Sequence, residues 1–599
     1  MAHRGPDDAG EWWSEDRRVG LGHRRLAILD LSPRGHQPMI DPTGRFLLSF
    51  NGEIYNFGSL RQELENLGHA FTSQTDTEVI LEAYREWGKE CLSRLNGMFA
   101  FALYDSTERK LLLARDRVGE KPLFYWRSGG MLAFASELKG LMKHPDLPRK
   151  LDLRAVDDFL AFGYVSSDRC IIQNVKKLPP AHAAMFDVET GVLNIWEYWR
   201  LPTRNGSVPL DAEHLEAELE GLLESSVRQQ LVADVPVGIL LSGGIDSSLV
   251  VAIASRVAGN RVKTFTVSFP GHGGHDESPH ARLVARHFGT DHTELEAESA
   301  NVDLLPILAR QYDEPLGDSS MVPTYLVSRL IRRHATVALG GDGGDELFGG
   351  YRHYAWIQAQ ERIRRYVPAG LRRTMGSAAE QFLPVGFKGR IYMMSFGKGL
   401  ARSIAHVNLF FEERVRRRLL IPRRERPFAH SDTPEEFKEG LCDGNETALR
   451  QATTVDFKSY LPDDILVKVD RASMLTSLEI RAPWLDRKVV EFAFGRVPEA
   501  FRASGGECKI LPRRLAARLL PKGLDLRRKQ GFVIPFKSWF RGNWGEFLSG
   551  ILNDADPQLW NQRSIQSLVA GQRRGLGNSH RLFALTMFEL WRREYKVTL

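Results

Sequence analysis

Two glycine-rich acidic loops are the strongest chemical features of this 599-residue sequence. The first, SGGIDSS at residues 242–248, stands where an apolar run gives way to helical periodicity. Glycines let the backbone approach phosphate oxygens, hydroxyl groups donate hydrogen bonds, and a helix N-terminus adds partial positive charge. The motif therefore predicts a phosphate site. Because no lysine follows the glycines, it differs from the Walker pattern, and its spacing is not that of a dinucleotide fingerprint.

The second loop, GGDGGDELFGGY at residues 340–351, follows the apolar run TVALG. Ligands of open α/β sheets collect at the carboxyl ends of strands, so carboxylates there indicate metal binding or acid/base chemistry. Asp246 in the first loop can lie beside a pyrophosphate if Mg²⁺ bridges the two. Each loop alone could be an ordinary turn, with Asp345 as a helix cap, but two such loops after two strands favour a nucleotide site.

From about residue 214 the sequence alternates strands with helices. Apolar β-branched runs at residues 235–241, 263–269 and 336–340 are interpreted as buried strands. The segment SLVVAIASRVAG, after the first loop, is interpreted as an amphipathic helix that ends at a glycine. This alternation predicts a parallel sheet covered by helices on both faces. The sequence beyond residue 360 is mostly helical.

The first 200 residues have a different pattern. Strand-like runs occur at residues 46–50, 97–105 and 110–116. Helical periodicity lies between them, in SLRQELENLG and DTEVILEAYREWG, so we expect an α+β domain. A polar segment with turn residues separates the two patterns and is interpreted as a linker. The predicted division is 1–200, 201–213 and 214–599.

Composition places the chain among ordinary globular proteins. Hydrophobic residues make up 43% and charged residues 26%, and the formal net charge of +6 is small for this length. No run approaches the roughly 18 apolar residues that a membrane helix needs, and the first residues lack an apolar signal core. Cys91, Cys170, Cys442 and Cys508 have no C-x-x-C spacing, which favours a reducing compartment. We therefore expect a cytoplasmic protein with no membrane partner.

Two charged clusters are interpreted as solvated surface. A basic cluster between residues 414 and 426 resembles a nucleic-acid patch, but glutamates interrupt it and no aromatic residues interleave with it. The cluster runs from Arg414 to Arg426 and includes Arg416, Arg417, Arg418, Arg423 and Arg424. A metal set in a glycine-rich loop would consist of His272, His275, Asp276 and His280. We expect no nucleic-acid partner and a solvated loop at the second cluster.

The chain resembles the glutamine-dependent asparagine synthetase family over nearly its whole length. SGGIDSS and GGDGGDELFGGY are similar to the family's synthetase core, and the first also resembles the pyrophosphate loop of ATP pyrophosphatases. HRGPDD, GHRRLAILD, NGEIYN, TDTE and RDRVGEKPL resemble its glutaminase domain. The resemblance implies an α+β N-terminal-nucleophile (Ntn) hydrolase-like glutaminase domain and an α/β parallel-sheet ATP-pyrophosphatase domain of adenine nucleotide α-hydrolase-like fold. It also implies an internal ammonia channel between them.

In the N-terminal half the resemblance implies a glutamine site. Arg25 would hold the carboxylate of glutamine, since arginine binds carboxylates through a fork of donors. Glu53 and Asp76 would hold its amino group. Asn51 and Gly52 would form the oxyanion hole that amide hydrolysis requires. For each residue alone, a surface ion pair or a turn is the alternative.

In the C-terminal half the resemblance implies an ATP site with Mg²⁺. Asp246 and Asp345 would bind Mg²⁺ and pyrophosphate. Lys529 would neutralise charge on the transferring phosphoryl group and Lys509 could assist, although each lysine alone could be a solvated helix residue. Asp342 stands where the family commonly has a glutamate proposed to promote intermediate formation or deprotonate ammonia. The residues assigned to ATP are Leu240, Ser242, Gly243, Gly244, Asp246, Ser247, Ser248, Val267, Gly340 and Gly341.

The beginning of the chain departs from the family pattern. Members that use glutamine begin Met-Cys-Gly, with the cysteine as nucleophile and its own α-amine as base. This chain begins Met1-Ala2-His3, and none of its four cysteines is followed by Gly-Ile. We expect that an N-terminal segment with the catalytic cysteine is missing. The alternative is an enzyme that depends on ammonia and keeps an unused glutamine pocket.

A second departure concerns the acceptor. Leu316 and Ser319 stand where asparagine synthetases commonly place Thr and Arg, so Arg332 or Arg352 could supply the missing charge. Asp342 is also about one bond shorter than the usual glutamate, which matters when proton transfer needs heavy atoms about 3 Å apart.

The resemblance implies a two-step reaction. A carboxylate attacks the α-phosphate of ATP to give an acyl-adenylate and pyrophosphate, and ammonia then expels AMP. The leading hypothesis is conversion of aspartate to asparagine through β-aspartyl-AMP. The alternatives are amidation of another carboxylate, such as a sugar uronate of a surface polysaccharide, and a catalytically dead glutamine or nucleotide sensor. Because relatives are often dimers, a homodimer is a further expectation.

Overall fold

The computed structural model describes residues 1–203, 211–268, 276–296, 301–421, 433–527 and 542–599. An N-terminal α+β part and a C-terminal α/β part follow each other along the chain, and both fold classes agree with the sequence-based prediction. Lys529 and most of the predicted linker lie outside the described residues, as do His272 and His275.

The N-terminal part is built from three antiparallel sheets. Its strands are β1 (Asp8–Trp13), β2 (Gly20–Arg25), β3 (Met39–Ile40), β4 (Phe46–Ile54), β5 (Gly97–Asp105), β6 (Lys110–Arg115), β7 (Phe124–Ser128), β8 (Met131–Ala135), β9 (Val175–Lys177), β10 (His182–Asp187) and β11 (Leu193–Glu197). The largest sheet has six strands in the order β11-β10-β6-β5-β4-β3; β1-β2 and β8-β7-β9 form the others. Its helices are α1 (Phe57–Asn66), α2 (Asp76–Trp87), α3 (Cys91–Arg94), α4 (Leu138–Leu141) and α5 (Leu153–Phe162).

Alternation along β5 explains how these layers pack. Phe99 and Phe101 pack on the side of α1 and α2, whereas Ala100 and Ala102 pack on the side of β2 and β7. Successive side chains of a strand point to opposite faces, so a strand that is buried on both faces reads as a continuous apolar run. The run GMFAFALYD therefore lies at the centre of the N-terminal part.

The C-terminal part is built on a five-stranded, wholly parallel sheet of order β14-β13-β12-β15-β16. The strands are β12 (Val237–Leu240), β13 (Lys263–Ser268), β14 (Asp291–Glu296), β15 (Val337–Leu339) and β16 (Glu479–Arg481), with a separate hairpin of β17 (Ala503–Ser504) and β18 (Glu507–Cys508). Three of the strands were predicted as apolar β-branched runs. Two hydrophobic clusters cover the two faces of the sheet.

Helices account for most of the remaining described chain. They are α6 (Ala212–Gln230), α7 (Ile245–Val257), α8 (Ser278–Phe288), α9 (Leu304–Gln311), α10 (Met321–Ile331), α11 (Gly344–Phe348), α12 (Arg352–Arg364), α13 (Ala369–Phe382), α14 (Arg390–Phe396), α15 (Leu400–His406), α16 (Glu413–Leu419), α17 (Pro434–Gly440), α18 (Ala448–Lys458), α19 (Leu466–Met474), α20 (Arg487–Gly495), α21 (Glu499–Arg502), α22 (Ile510–Leu519), α23 (Asn543–Asn553), α24 (Gln562–Arg573) and α25 (Ser579–Tyr595). Within the described ranges, none of the helices is long and apolar enough to cross a bilayer.

Buried ion pairs join the two parts. Arg4 makes two hydrogen bonds of 2.8 Å to the carboxylate of Asp470 on α19 and one of 2.9 Å to Glu137. Arg416 on α16 lies between Asp157 on α5 and Glu435, and its side chain is fully buried. The prediction that the basic cluster is solvated surface is therefore wrong for Arg416, because its partners come from distant parts of the sequence.

The rest of that cluster divides between exposed and undescribed residues. Arg417 and Arg418 are exposed, as the sequence-based interpretation expects. Arg423 and Arg424 lie outside the described residues.

Candidate functional site

The two glycine-rich loops lie side by side. β12 and β15 are neighbours in the sheet, with Ile239 opposite Leu339, and each loop leaves the carboxyl end of its strand. The chain proceeds from β12 to β13 on one side and from β15 to β16 on the other. The loops therefore flank the point where the strand order reverses, which is where ligands of open α/β sheets bind.

The first loop is shorter than the sequence predicts. Helix α7 begins at Ile245, so Asp246 and Ser247 belong to its first turn, although we expected them in the loop. A carboxylate in the first turn is stabilised by the partial positive charge of the helix N-terminus, which favours this earlier start. The Ser247 hydroxyl accepts a hydrogen bond of 3.2 Å from the Ser242 amide and lies 3.0 Å from the Ser242 hydroxyl.

Lys509 joins the acidic groups of the two loops. Its Nζ contacts Asp246 and lies 2.7 Å from Oδ1 of Asp345. Burial disfavours the charged form, but the two carboxylates outweigh it and raise the pKa of Lys509. Only 6% of the residue is exposed, so the alternative of a solvated helix residue is excluded. The ammonium group of Lys509 and the carboxylates of Asp246 and Asp345 form one charged cluster between the two loops.

A cavity of about 270 Å³, here called the loop cavity, contains this cluster. It is lined by ten of the predicted residues: Leu240, Ser242, Gly244, Asp246, Ser247, Val267, Gly341, Asp342, Asp345 and Lys509. Gly243, Ser248 and Gly340 are not among its lining residues. Arg332 and Arg352, the candidates for the missing acceptor charge, do not line it either.

Lys468 on α19 is a cavity residue that sequence reasoning missed. Its Nζ lies 3.1 Å from Oδ2 of Asp318, and its side chain is 12% exposed. Burial works against its charge, but Asp318, Asp464 and Asp342 together raise the pKa of Lys468. Burial raises the pKa of Asp342, while Lys468 opposes that shift. Nothing in the local sequence VKVD signals this role, because Asp318 is 150 residues away.

The predicted glutamine residues also come together. Arg25, Asn51, Gly52, Glu53 and Asp76 all line one cavity of about 610 Å³, here called the N-terminal cavity. All four cysteines belong to the described residues, and none of them lines this cavity.

The local geometry of two of these residues, Arg25 and Gly52, is well defined. The Arg25 guanidinium donates to the carbonyl oxygens of Leu29, Asp30 and Ser32 at 2.5–3.2 Å. Gly52 has a φ of +152°, and a Cβ there would overlap the carbonyl oxygen of Met98, so only glycine fits.

Two buried carboxylates give the N-terminal cavity an acidic side. Burial raises the pKa of Asp76 to about 7, and Oδ2 of this residue accepts a hydrogen bond of 2.8 Å from the Ile54 amide. Burial also raises the pKa of Glu53, although Arg481 on β16 opposes this from 3.1 Å. An ammonium group bound between these carboxylates would favour their charged forms.

A cavity of about 20 Å³ lies between the two larger ones. It shares Met474 with the N-terminal cavity and shares Asp342, Val469 and Ile480 with the loop cavity. Helix α19 lines all three, because Lys468 and Val469 are near its beginning and Met474 is its last residue.

No group of three or more potential metal-ligating side chains occurs within the described ranges. Of the predicted histidine cluster, only Asp276 and His280 are described, and both are partly exposed. A Cβ on Gly243 would overlap the Cβ of His280, so this histidine packs against the first loop. The remaining two histidines, His272 and His275, lie outside the described ranges.

Similarity to known proteins extends over nearly the whole chain. The asparagine synthase family profile matches residues 218–593, and the glutamine amidotransferase domain profile matches residues 1–199. An asparagine synthetase [glutamine-hydrolyzing] 1 of Bacillus subtilis (strain 168) is 32% identical over 99% of this chain and 92% of its own length.

Two further relatives have similar names. A putative asparagine synthetase [glutamine-hydrolyzing] of Mycobacterium bovis is 33% identical over 99% of this chain and 92% of its own length. A second, from Methanocaldococcus jannaschii, is 34% identical over 80% of this chain and 94% of its own length. These matches, together with the two loops at the sheet edge, show that the chain belongs to the asparagine synthase family of glutamine-hydrolysing carbon–nitrogen ligases, which use ATP to make asparagine.

Proposed function

We propose that this chain amidates the side-chain carboxylate of aspartate through β-aspartyl-AMP and releases AMP and pyrophosphate. The observation that carries the proposal is Lys509, held between Asp246 and Asp345 in the cavity that also contains Asp342. A buried cation beside two hard oxygen donors suits the pyrophosphate end of ATP. Adenine would lie against Leu240 and Val267, which line the same cavity.

Asp246 and Asp345 would hold Mg²⁺, which supplies positive charge to the phosphates when bound. Two carboxylates with phosphate oxygens and water suit this ion, since Mg²⁺ is usually held by one or two carboxylates rather than by an all-protein cage. Lys509 neutralises charge that develops on the phosphate oxygens as the α–β bond breaks. Lys529 is proposed for the same purpose, but it lies outside the described residues.

The acceptor is an amino acid rather than a sugar uronate in this proposal. Lys468 gives the loop cavity a cation that can bind the second carboxylate of aspartate. The pKa of Lys468 is raised in part by Asp464, so that carboxylate belongs to the same cluster. Asp464 is buried, and its Oδ1 has no hydrogen-bond partner in the described chain. Its pKa is raised by burial and by Asp318.

Such a cluster suits a zwitterion. In this proposal the α-carboxylate of aspartate pairs with Lys468, which lines the loop cavity, and its α-ammonium group is directed toward Asp318 and Asp464, two of the carboxylates that act on Lys468. A uronate carries no ammonium group and could pair only with Lys468, whereas aspartate can use both of its charged α-groups. The surface-polysaccharide alternative is therefore not favoured by this part of the cavity.

Ammonia would reach the acyl-adenylate from the N-terminal cavity through the small cavity beside Met474. The shared lining residues support this route, which ends at Asp342. A carboxylate with a raised pKa is suited to accept a proton from the attacking ammonia. Arg25, Glu53 and Asp76 would bind glutamine, with Asn51 and Gly52 as its oxyanion hole.

We propose ammonium as the nitrogen donor for the sequence as given; the described residues that line the N-terminal cavity include no cysteine. We propose a division at residues 201–213 and a homodimeric state. Four cysteines without a disulfide agree with a reducing compartment such as the cytoplasm.

The acceptor proposal is tested with ¹⁵N-ammonium, ATP and Mg²⁺ by comparing aspartate with glucuronate and galacturonate. Labelled asparagine detected by mass spectrometry is expected only with aspartate. A labelled uronamide would replace the proposal by the polysaccharide alternative. Tight binding of ATP or glutamine without pyrophosphate release from any acceptor would instead support a sensor.

A further inference from the structure

The segment from residue 361 to 398, here called the basic hairpin, has an unusual charge. It contains eight basic residues and two acidic ones, a net charge of +6 that equals the formal charge of the whole chain. Its acidic residues, Glu361 and Glu380, are only partly exposed, whereas Arg362, Arg365, Arg373 and Lys388 are exposed. The outer surface of the hairpin is therefore strongly cationic.

The same segment exposes large apolar side chains. Eight of the nineteen exposed large hydrophobic residues in the described ranges belong to it. Tyr366 is 85% exposed, Phe382 75%, Leu371 56% and Ile363 50%. Exposed apolar side chains gathered in one segment of the chain favour a binding surface.

Helix α13 arranges part of this surface as a stripe. Leu371, Met375 and Phe382 are exposed, and their spacing of four and seven residues places them on one side of the helix. Gly376 and Ala379 are buried, and a Cβ on Gly376 would lie 3.1 Å from the Gly397 Cα just after α14. The close approach of these glycines keeps the two helices together and leaves the apolar stripe exposed.

The hairpin is separate from the proposed chemistry. None of its residues lines the N-terminal cavity or the loop cavity. Neither ATP nor the acceptor therefore explains its exposed apolar and basic residues.

We propose that the basic hairpin docks on an anionic phospholipid surface, with the stripe in the headgroup region and the arginines against the phosphates. Apolar side chains flanked by arginine are typical of helices that lie in the membrane interface, and such helices need no spanning length. The expectation of no membrane partner rested on the lack of a spanning run and did not address this mode. A second copy of the chain is disfavoured as occupant because two surfaces that each expose four basic side chains repel each other.

The test is cosedimentation of the full chain with vesicles of phosphatidylcholine alone or with added phosphatidylglycerol. We expect pelleting only with phosphatidylglycerol, and a decrease as salt rises. Two double variants, Leu371→Ser with Phe382→Ser and Arg365→Glu with Lys388→Glu, should each lower the bound fraction about tenfold. The matched control, Trp13→Ser with Ile195→Ser, removes apolar residues that are 58% and 43% exposed elsewhere and should bind normally.

Each variant is first checked by circular dichroism and by pyrophosphate release, which should match the unmodified chain. Unchanged vesicle binding in both hairpin variants would overturn the proposal, as would no binding by the unmodified chain. Sedimentation of the protein without lipid is measured in parallel. If the unmodified protein sediments as a dimer and the double variant Leu371→Ser with Phe382→Ser sediments as a monomer, the surface binds a second copy of the chain instead of lipid.

Discussion

At the residue scale, the proposed chemistry depends on how burial and neighbouring charges change the protonation of a few side chains. Lys509 and Lys468 keep their charge because carboxylates outweigh the effect of burial. At Asp342 burial outweighs the effect of Lys468, so the pKa of its carboxyl group is raised and the neutral form is favoured. Lys509, Lys468 and Asp342 all line the loop cavity. Substituting them one at a time can distinguish phosphate binding, acceptor binding and proton transfer.

Asp342 is expected to act as the carboxylate that accepts a proton. Asp342→Asn should lower ammonium-dependent asparagine formation by about 100-fold or more, whereas Asp342→Glu should keep most of it. The pKa of Asp342 is raised, so this carboxylate becomes protonated at a higher pH than an ordinary aspartate does. As the solution is made more acidic, the rate of the unmodified enzyme should therefore begin to fall at a correspondingly higher pH. The pH profile of initial rates checks this. If the residual activity of Asp342→Asn shows the same fall at acidic pH, Asp342 is not the group that accepts the proton.

Lys468 is expected to determine acceptor binding. Lys468→Met should raise KM for aspartate by about tenfold or more and leave KM for ATP nearly unchanged, since its proposed partner is the acceptor carboxylate. The exposed Lys458 on α18 offers a control with the same chemical change. Equal changes in both KM values would indicate that Lys468 supports the cavity as a whole.

At the element scale, the catalytic groups are positioned by strand ends and helix starts. The loops meet because β12 and β15 are adjacent, and α19 connects the three cavities. The strands and the two loops could be predicted from the sequence, because apolar runs identify buried strands and glycine-rich turns after them identify the strand ends that bind ligands.

Other parts of the element arrangement could not be predicted. The start of α7 at Ile245 was missed, since polar residues in a first turn look like loop residues. Lys468 and the buried Arg416 were missed because their partners, Asp318 and Asp157, lie 150 and 259 residues away. Such long-range pairs leave no local pattern in one sequence.

Gly343 is expected to be essential for the second loop. Its φ of +96° is left-handed, and a Cβ there would overlap the side chain of Leu485. Gly343→Ala should cost roughly 1–3 kcal/mol of stability and lower pyrophosphate release about tenfold or more, because Asp342 and Asp345 flank it. Gly550→Ala, in open space within α23, is the control and should stabilise by up to about 1 kcal/mol. Urea denaturation and initial rates measure both effects, and a fully active Gly343→Ala protein would contradict the argument.

At the scale of the whole molecule, buried charge links the two parts. Arg481 on the parallel sheet pairs with Glu53 and Glu479, and Arg4 pairs with Asp470 on α19. Such pairs are costly to bury but fix how two surfaces meet. The N-terminal cavity is thereby completed by residues of the C-terminal part.

Asp76 should make stability depend on pH. Its pKa rises from 3.8 to about 7 on folding, so the folded state holds a proton that the unfolded state has released. The contribution of Asp76 to the free energy of unfolding is therefore fully present below about pH 4 and is lost as the pH rises to about 7. Asp76→Asn should reduce the fall in urea midpoint between pH 5 and 8, whereas Asp146→Asn at an exposed site should not. An equally steep fall in both variants would contradict the assignment.

Pyrophosphate release from ATP and Mg²⁺, measured with purified protein and aspartate and comparing ammonium with glutamine, is the decisive experiment for the proposed function. We expect release that requires aspartate and yields asparagine with ammonium, and little asparagine with glutamine for this sequence. No aspartate-dependent release from protein that is folded by circular dichroism would contradict the proposed function.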